Sequence, residues 1–203
     1  MDLWQYEKEA AAEGYAAVCG CDEAGAGPLA GPVYAAAVIL PLGEDIPGLD
    51  DSKKLTEKRR EALFPVIQER ALAWSAAFVS AEEIDKTDIL SARMRAMQLA
   101  IDGLSRKPDF ALIDGNRDHG RSAAITTSHR CIIKGDSLSA SVAAASVLAK
   151  VSRDRFMRGM AAKYPEYRFD RHKGYGTKLH YALLREYGPC PIHRRTFLKG
   201  MAP

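Results

Sequence analysis

An apolar strand runs into a glycine-rich turn in the stretch GCDEAGAGPLAGP, residues 20–32. Asp22 and Glu23 are adjacent at the end of that strand, where the backbone holds a carboxylate rigidly. Two neighbouring carboxylates repel each other unless a cation joins them, and hard divalent ions take oxygen ligands. The glycines beside them let another backbone approach, because no Cβ stands in the way. The stretch therefore predicts half of a metal site next to a surface that contacts a chain-like ligand.

The order of the predicted elements indicates an α/β fold. Apolar runs predict five strands, which lie within residues 15–22, 32–40, 71–80, 110–113 and 125–133. The first two strands are joined by a short turn, so they are expected to form an antiparallel hairpin. Later strands are separated by helices. Early antiparallel pairing followed by helix-separated strands implies a mixed sheet with helices on both faces.

Caps and apolar spacing predict the helices. Thr56 and Ser80 are expected to cap two of them, and Pro65 to kink or restart the first. The remaining helices are predicted over residues 3–13, 89–104, 137–160 and 177–187. Small residues on the early turns of the helix at 137–160 indicate close packing against the sheet.

Composition places the chain among globular proteins of one domain. It has 203 residues, of which 47% are hydrophobic and 27% charged. The formal net charge of +3 is too small to identify a nucleic-acid partner. Lys, Arg and His are dense from Lys150 onward, and this basic third could face phosphates. A merely solvated surface is an equal alternative on charge alone.

The cysteines and the apolar runs bear on location. Cys19 and Cys21 have the wrong spacing for a zinc knuckle or a redox pair, and on a strand both point to one face, which predicts core residues. No apolar run approaches the length of a membrane span, and the N-terminus lacks a signal-peptide core. We expect a cytoplasmic protein with reduced thiols and no membrane partner.

Six further motifs follow the opening stretch in order: DSKKL (51–55), IDGN (113–116), KGDS (134–137), ASVLAK (145–150), HKGYGT (172–177) and HRRTF (193–197). In identity and order they resemble the type 2 ribonucleases H, specifically bacterial ribonuclease HII, from about Tyr15 to Phe197. The chain departs from the family at Ala26, where an arginine usually lies between two glycines. The resemblance implies a ribonuclease H-like fold in a single domain, with a core over about 15–160 and a helical C-terminal extension over about 161–203.

The resemblance also implies an activity. Such a protein would be a monomeric endonuclease that hydrolyses RNA in RNA–DNA hybrids and nicks duplex DNA 5′ to embedded ribonucleotides. It would leave 3′-hydroxyl and 5′-phosphate ends and remove misincorporated ribonucleotides. Two alternatives remain: another ribonuclease H-like nuclease that acts on DNA junctions, and a catalytically inactive module that binds hybrids. The inactive module would require a missing carboxylate, and none is missing.

Four carboxylates match the family's catalytic set: Asp22, Glu23, Asp114 and Asp136. Two divalent ions can activate the attacking water and stabilise the leaving oxygen, and they need carboxylates that converge from different elements. Taken alone, Asp114 could be a turn residue and Asp136 a helix cap. Taken together, the four predict a site for Mg²⁺ or Mn²⁺, two ions in the substrate complex, with Asp22 bridging them.

The remaining site residues are expected to bind substrate. By resemblance, the backbone of Gly25, Ala26 and Gly27 reads the ribose 2′-OH, the group that separates RNA from DNA. Tyr175 would stack on the adjacent deoxyribose and favour RNA-to-DNA junctions. The alternative for the glycine-rich turn is a purely structural role, and the alternative for Tyr175 is a ring packed within the protein. The candidate phosphate contacts are Lys53, Lys54, Ser137, Lys150, His172 and Lys173.

Overall fold

The computed structural model describes residues 2–49, 53–115 and 125–200. Asp51, Ser52 and Asn116, which belong to two of the motifs, lie outside the described residues. The helices are α1 (Gln5–Ala12), α2 (Glu57–Arg70), α3 (Ala81–Lys86), α4 (Ile89–Asp102), α5 (Ala140–Lys163), α6 (Phe169–His172) and α7 (Lys178–Tyr187). Three short 3₁₀ turns span Gly135–Ser137, Pro165–Tyr167 and Arg195–Leu198.

The five strands form one mixed sheet, which confirms the predicted architecture. They are β1 (Val18–Ala24), β2 (Val33–Ile39), β3 (Ala73–Val79), β4 (Phe110–Asp114) and β5 (His129–Ile132), in the spatial order β3-β2-β1-β4-β5. β1 pairs antiparallel with β2, and β2 with β3. β4 pairs parallel with both β1 and β5. The carboxyl ends of β1 and β4 therefore lie side by side.

Each face of the sheet carries its own core. Cys19 and Cys21 point to the face covered by α4, where both are buried, as the alternation along a strand predicts. On the other face α5 lies against β1 and β2, with Ala144 and Ala145 fully buried. Gly20 makes this approach possible, since a Cβ there would lie 2.2 Å from the Ser141 carbonyl carbon.

Two of the helix starts follow the predicted caps. Thr56 Oγ1 accepts the Arg59 N–H at 3.3 Å, and Ser80 forms a capping box with Glu83. α2 continues through Pro65, so the expected restart of that helix is wrong. Pro65 lies on the exposed face, where solvent can take the place of the hydrogen bond that proline removes.

α5 begins three residues later than the sequence suggests. Its cap is Ser139, whose Oγ accepts the Val142 N–H at 3.2 Å, while Asp136 and Ser137 lie in a preceding 3₁₀ turn. Asp136 therefore does not cap the helix, and its carboxylate is left for another partner. Within the described ranges, no helix is both long and apolar enough to cross a membrane.

Candidate active site

Three carboxylates converge at the carboxyl edge of the parallel strands. Asp22 and Asp114 come from adjacent positions, because Cys21 is paired with Ile113 in the β1–β4 register. Asp136 arrives from the turn that follows β5. One oxygen from each carboxylate lies within 4.8 Å of the others, and this is the one such group in the part of the chain that the structure describes. Asp22 and Asp136 are only 4% and 3% exposed.

Backbone groups hold the carboxylates in place. Asp22 Oδ1 accepts the Glu23 N–H at 2.7 Å. Asp114 Oδ1 accepts the Gly135 N–H, also at 2.7 Å, which ties Asp114 to the turn that carries Asp136. The three side chains are therefore fixed to one another through two strand ends and one short turn.

The electrostatics of this cluster favour a cation. Burial raises the pKa of Asp22 well above its usual range, and the charges of Glu23 and Asp114 raise it further. Burial and the nearby Asp136 raise the pKa of Asp114. Buried like charges are costly unless a positive charge joins them, and three carboxylate oxygens are a ligand set for a hard divalent ion. Lys53 reaches the cluster, with its Nζ 3.0 Å from Asp136 Oδ2.

Glu23 is not part of this group of three carboxylates. Successive strand side chains face opposite sides of a sheet, so Glu23 turns toward α4. Its Oε1 pairs with Arg93 at 2.6 Å, whereas its Oε2 is buried and without a hydrogen-bond partner among the described residues. Burial raises the pKa of Glu23 although the Arg93 charge opposes the change. The structure thus brings three of the four expected carboxylates together and leaves one oxygen of the fourth unsatisfied nearby.

Two buried arginines shape the glycine-rich turn. Arg194 donates to the carbonyls of Gly25 at 2.6 Å, Ala26 at 2.8 Å and Gly31 at 3.0 Å. Arg153 donates to three more carbonyls, those of Ala30, Pro32 and Lys173. Both side chains are 0% exposed. The buried guanidinium groups donate to the carbonyl oxygens of the turn from the protein interior. These hydrogen bonds fix the conformation of the turn.

The N–H groups of the turn have no such partners. Gly25, Ala26 and Gly27 donate no backbone hydrogen bond to any described residue. Gly25 has a φ of +94°, and a Cβ there would lie 1.9 Å from Arg153 Nε, so only glycine fits. Ala26 leaves the backbone geometry intact because Arg194 contacts its carbonyl rather than its side chain.

Tyr175 lies at the surface beside this turn. Its ring is 41% exposed, and the Arg153 guanidinium lies 5.6 Å from the ring centroid. The Tyr175 carbonyl accepts the Thr177 N–H at 2.8 Å and faces His180 Nδ1 at 3.0 Å. Its backbone is therefore fixed while the ring is accessible, which does not favour the alternative of a packed core tyrosine.

The placement of His172 argues against the expected phosphate contact. The residue is buried, and its Nδ1 accepts the Gly174 N–H at 3.2 Å. Nε2 must then carry the proton, and it donates to the Tyr167 carbonyl at 2.8 Å. Burial also lowers the pKa of His172. Both nitrogens serve the backbone around Tyr175, so His172 supports that segment instead of contacting solvent.

Two lysines are likewise engaged within the protein. Lys150 Nζ contacts both carboxylate oxygens of Asp154, at 2.5 and 2.7 Å. Lys173 Nζ donates to the Asp170 carbonyl. Ser137 lies half-buried in the turn beside Asp136 and does not start α5. Among the candidate phosphate contacts, Lys53 reaches the carboxylates through its contact with Asp136.

The supporting roles of four residues of this site were not predicted from the sequence: Arg153, His180, His193 and Arg194. Buried cationic or polar side chains contradict the usual distribution of residue types, so composition and periodicity give no signal for them. The HRRTF motif does contain two of them, and its position in the family pattern was the available clue.

A mixed sheet in this order, with acidic residues at adjacent strand ends and a turn between β1 and β2, defines the ribonuclease H-like fold with a candidate metal-binding nuclease site. The family model described as Ribonuclease HII matches residues 19–199. The chain belongs to the ribonuclease HII family.

Individual relatives agree with the family match. A protein named Ribonuclease HII from Caldicellulosiruptor bescii is 48% identical over 200 residues, covering 98% of this chain and 95% of the relative. The crystal structure of a ribonuclease H2 from Pyrococcus horikoshii is similar with a TM-score of 0.74 at 27% identity, covering 89% of this chain and 93% of that one. Bst-RNase HIII, solved in complex with Mn²⁺, shares the fold at 18% identity with a TM-score of 0.61, covering 89% of this chain and 64% of that one.

Proposed function

We propose that this protein hydrolyses the RNA strand of RNA–DNA hybrids and nicks duplex DNA 5′ to embedded ribonucleotides, leaving 3′-hydroxyl and 5′-phosphate ends. Membership of the ribonuclease HII family supports the ribonuclease H reaction. The observation that carries the proposal is the convergence of three carboxylates on one edge of the sheet. All four acidic positions of the family pattern are occupied, so an inactive hybrid-binding module is not favoured.

Asp22, Asp114 and Asp136 would hold the divalent cation, and the ligand chemistry fits Mg²⁺ or Mn²⁺. Bound divalent ions make water a stronger nucleophile at neutral pH and stabilise the charge on the leaving oxygen. Glu23 Oε2, which has no hydrogen-bond partner among the described residues, is a candidate fourth ligand and accords with a second ion in the substrate complex. Arg93 would then hold Glu23 in place through the other oxygen.

We infer that Lys53 stabilises the site before substrate binds. Its Nζ contacts Asp136 although the side chain is 76% exposed, so it places a positive charge at the rim of the buried cluster. At this rim the same ammonium group would also lie within reach of a phosphate of the substrate. A lysine acts there as a point charge and needs no fixed geometry.

The turn at residues 25–27 would read the ribose. Its N–H groups are not used by the described residues, and a 2′-OH can accept from such groups and donate to others. Because backbone atoms are the readers, Ala26 in place of an arginine removes a cationic contact without removing the recognition of ribose. Tyr175, with an accessible ring beside the turn, would stack on the neighbouring deoxyribose.

We also propose that the protein works as a monomer in the cytoplasm. Its four cysteines, all within the described residues, are thiols and not disulfides, which accords with a reducing compartment. Basic residues of the C-terminal third would then contact phosphates of the duplex without reading its sequence.

Cleavage of a DNA duplex that contains one ribonucleotide tests the proposal. With Mg²⁺, we expect one nick on the 5′ side of the ribonucleotide, and cleavage throughout the RNA strand of a continuous hybrid. An all-DNA duplex of the same sequence is the control substrate and should stay intact. Equal cleavage of that control, or undiminished nicking in excess EDTA, would show that the proposed function is wrong.

A further inference from the structure

A buried pair of histidines connects the C-terminal segment to Tyr175. His193 Nδ1 lies 2.9 Å from the Cys190 nitrogen and 3.3 Å from the Cys190 carbonyl oxygen, and that carbonyl already accepts the His193 backbone N–H at 3.0 Å. Nδ1 therefore accepts the Cys190 N–H, and Nε2 carries the proton. That Nε2 lies 3.0 Å from His180 Nε2, which must therefore be the acceptor. The proton of His180 is then on Nδ1, which donates to the Tyr175 carbonyl at 3.0 Å. The tautomers are consistent along the whole chain of hydrogen bonds.

The surroundings hold these rings in one arrangement. His180 is 0% and His193 2% exposed, and His172 stacks on His180 with 4.2 Å between centroids. Phe169 contacts His172, His180 and His193 edge-on or tilted. Burial keeps all three histidines neutral by lowering the pKa of each. Buried polar rings with satisfied hydrogen bonds rigidify their surroundings, so the Tyr175 carbonyl is held by a stiff support.

The next residue along the chain supports the other substrate element. Arg194 follows His193 and donates to the carbonyls of Gly25, Ala26 and Gly31. The backbones also meet directly, since Ala30 bridges to His193 and the Arg194 N–H donates to the Leu29 carbonyl at 2.9 Å. Two adjacent side chains of one segment thus extend to the glycine-rich turn and to the tyrosine segment.

The two substrate elements are joined to each other as well. The Leu29 N–H donates to the Gly174 carbonyl at 2.9 Å, and a Cβ on Gly174 would lie 2.4 Å from the Ala30 carbonyl oxygen. Arg153 donates to both Ala30 and Lys173. The turn, the tyrosine segment and the His193–Arg194 pair therefore form one continuous hydrogen-bonded unit.

We propose that His193 and His180 are positioning residues that set the place of Tyr175 relative to the 2′-OH-reading turn, and that the preference for a single ribonucleotide in DNA depends on them. The inference rests on the proposed function, because it takes Tyr175 and the turn as the two substrate contacts. Junction recognition needs a ribose and the adjoining deoxyribose to be read at a fixed spacing. His193, acting through His180, and Arg194 fix that spacing from a single segment.

Substitution of each histidine by glutamine or by asparagine removes the hydrogen bonds of His180 and His193 one at a time. The amide of glutamine reaches the place of a histidine Nε2, and that of asparagine the place of Nδ1. His193→Gln therefore keeps the donor to His180, while His193→Asn keeps only the contact with the Cys190 N–H. At the other ring the order reverses: His180→Asn keeps the donor to Tyr175, and His180→Gln loses it.

The measured quantity is the ratio of kcat/KM for a duplex with one ribonucleotide to kcat/KM for a continuous RNA–DNA hybrid. We expect His193→Asn and His180→Gln to lower this ratio about fivefold or more, the range of a lost stacking contact. His193→Gln should stay within about twofold of the wild-type ratio. His180→Asn keeps the donor to Tyr175 but loses the bond to His193, so its ratio should lie between those of wild type and His180→Gln. Melting temperature and Mn²⁺ affinity, measured on all four variants, report the fold and the carboxylate site separately.

Tyr175→Ala completes the test. It should lower the ratio, and adding His193→Asn to it should lower the ratio no further, because both act on one contact. Ratios that are unchanged in all four histidine variants, or lowered equally in all four, would overturn the inference. If the wild-type protein does not nick at a single ribonucleotide, or Tyr175→Ala leaves the ratio unchanged, the proposed function fails instead.

Discussion

At the scale of single residues, the charge of Asp22 suits the binding of a cation but destabilises the folded protein. It is buried among carboxylates, and those charges together with burial raise its pKa. Without a cation, an ionised Asp22 opposes the folded state. Active sites commonly hold such strained charges because the ligand later relieves them.

Asp22→Asn should therefore stabilise the metal-free protein. The amide oxygen can still accept the Glu23 N–H, but the buried charge is gone. We expect a gain of about 1 kcal/mol or more, which raises the melting temperature by about 2–4 °C in a domain of this size. Thermal unfolding in EDTA measures it. Glu69→Gln, which removes an exposed carboxylate from α2, should leave the melting temperature unchanged. A lower melting temperature for Asp22→Asn would contradict the electrostatic account.

The carboxylates of the site could be predicted from sequence, whereas their supports could not. Asp22 and Asp114 follow apolar strands, and the ends of such strands are identifiable from pattern. That Glu23 faces the opposite side follows from the alternation along a strand, yet the family pattern grouped it with the others. Arg153 and Arg194 bind carbonyls distant in sequence, and only the tertiary structure shows which.

His180 and His193 should make stability depend on pH. Burial lowers the pKa of each from the ordinary 6.5 to about 4. Between these values the unfolded chain binds more protons than the folded one, so the stabilisation is complete above about pH 6.5 and is lost as the pH falls toward 4. Asp22 and Asp114, whose pKa values are raised, act with the opposite sign.

A comparison of the wild type with a double variant isolates the contribution of the two histidines to the pH dependence of stability. Melting temperatures of wild type and of a His180→Asn, His193→Gln double variant are measured from pH 7.5 to 4.5. The carboxylates are the same in both, so their effect cancels. We expect the wild type to lose more stability than the variant as the pH falls. Parallel curves would refute the assignment of neutral buried histidines.

At the scale of elements, the start of α5 is held by the N-terminal helix. Glu7 of α1 is buried, and its Oε1 accepts from Ser139 Oγ at 2.5 Å, Ser141 N–H at 2.9 Å and Ser141 Oγ at 2.8 Å. A carboxylate at a helix N-terminus is favoured by the helix dipole. Ser139 also bonds through its N–H to the Gly135 carbonyl, so α1 supports the turn that carries Asp136.

Glu7→Ala should destabilise the protein by about 1–3 kcal/mol, because it leaves buried donors of Ser139 and Ser141 without an acceptor. Chemical denaturation monitored by circular dichroism measures the loss. Glu7→Gln retains a carbonyl oxygen for those donors and serves as the matched control, with a smaller loss. An alanine variant as stable as wild type would show that α1 does not hold the start of α5.

The boundary of α5 shows why local pattern was insufficient. KGDSLSAS contains three serines and an aspartate, each of which is a good cap. The residues from Gly135 to Ser137 form a 3₁₀ turn because Gly135 bonds to Asp114 from a distant strand. Tertiary contacts therefore place the helix start at Ser139, and this leaves Asp136 for the proposed metal site.

At the scale of the whole molecule, the C-terminal extension shares a core with the catalytic part. Leu29 and Ala30 of the glycine-rich turn pack in one cluster with Met157 of α5 and Leu184 of α7. Arg153 and Arg194 cross the same boundary with their hydrogen bonds. The extension thus packs against the turn that we propose reads the substrate, in agreement with the proposal of a single domain.

A single domain should unfold in one transition. Trp4 near α1 and Trp74 on β3 report on tertiary structure by fluorescence, and far-ultraviolet circular dichroism reports largely on the helices, those of the extension included. We expect the two denaturation curves to coincide. Separate midpoints would indicate that the extension unfolds independently.

The central claim is that the converging carboxylates bind the catalytic cation, and Asp114→Asn tests it most directly. The amide keeps the oxygen that accepts the Gly135 N–H but removes the charge that a divalent ion needs. Asp109→Asn is the matched control, since Asp109 precedes the same strand at its opposite end and also accepts backbone N–H groups. Cleavage of a single-ribonucleotide duplex is measured at saturating Mg²⁺, and hybrid binding in Ca²⁺. We expect Asp114→Asn to lose several orders of magnitude in cleavage while hybrid binding survives and Asp109→Asn remains active. Near-normal cleavage by Asp114→Asn would contradict the claim.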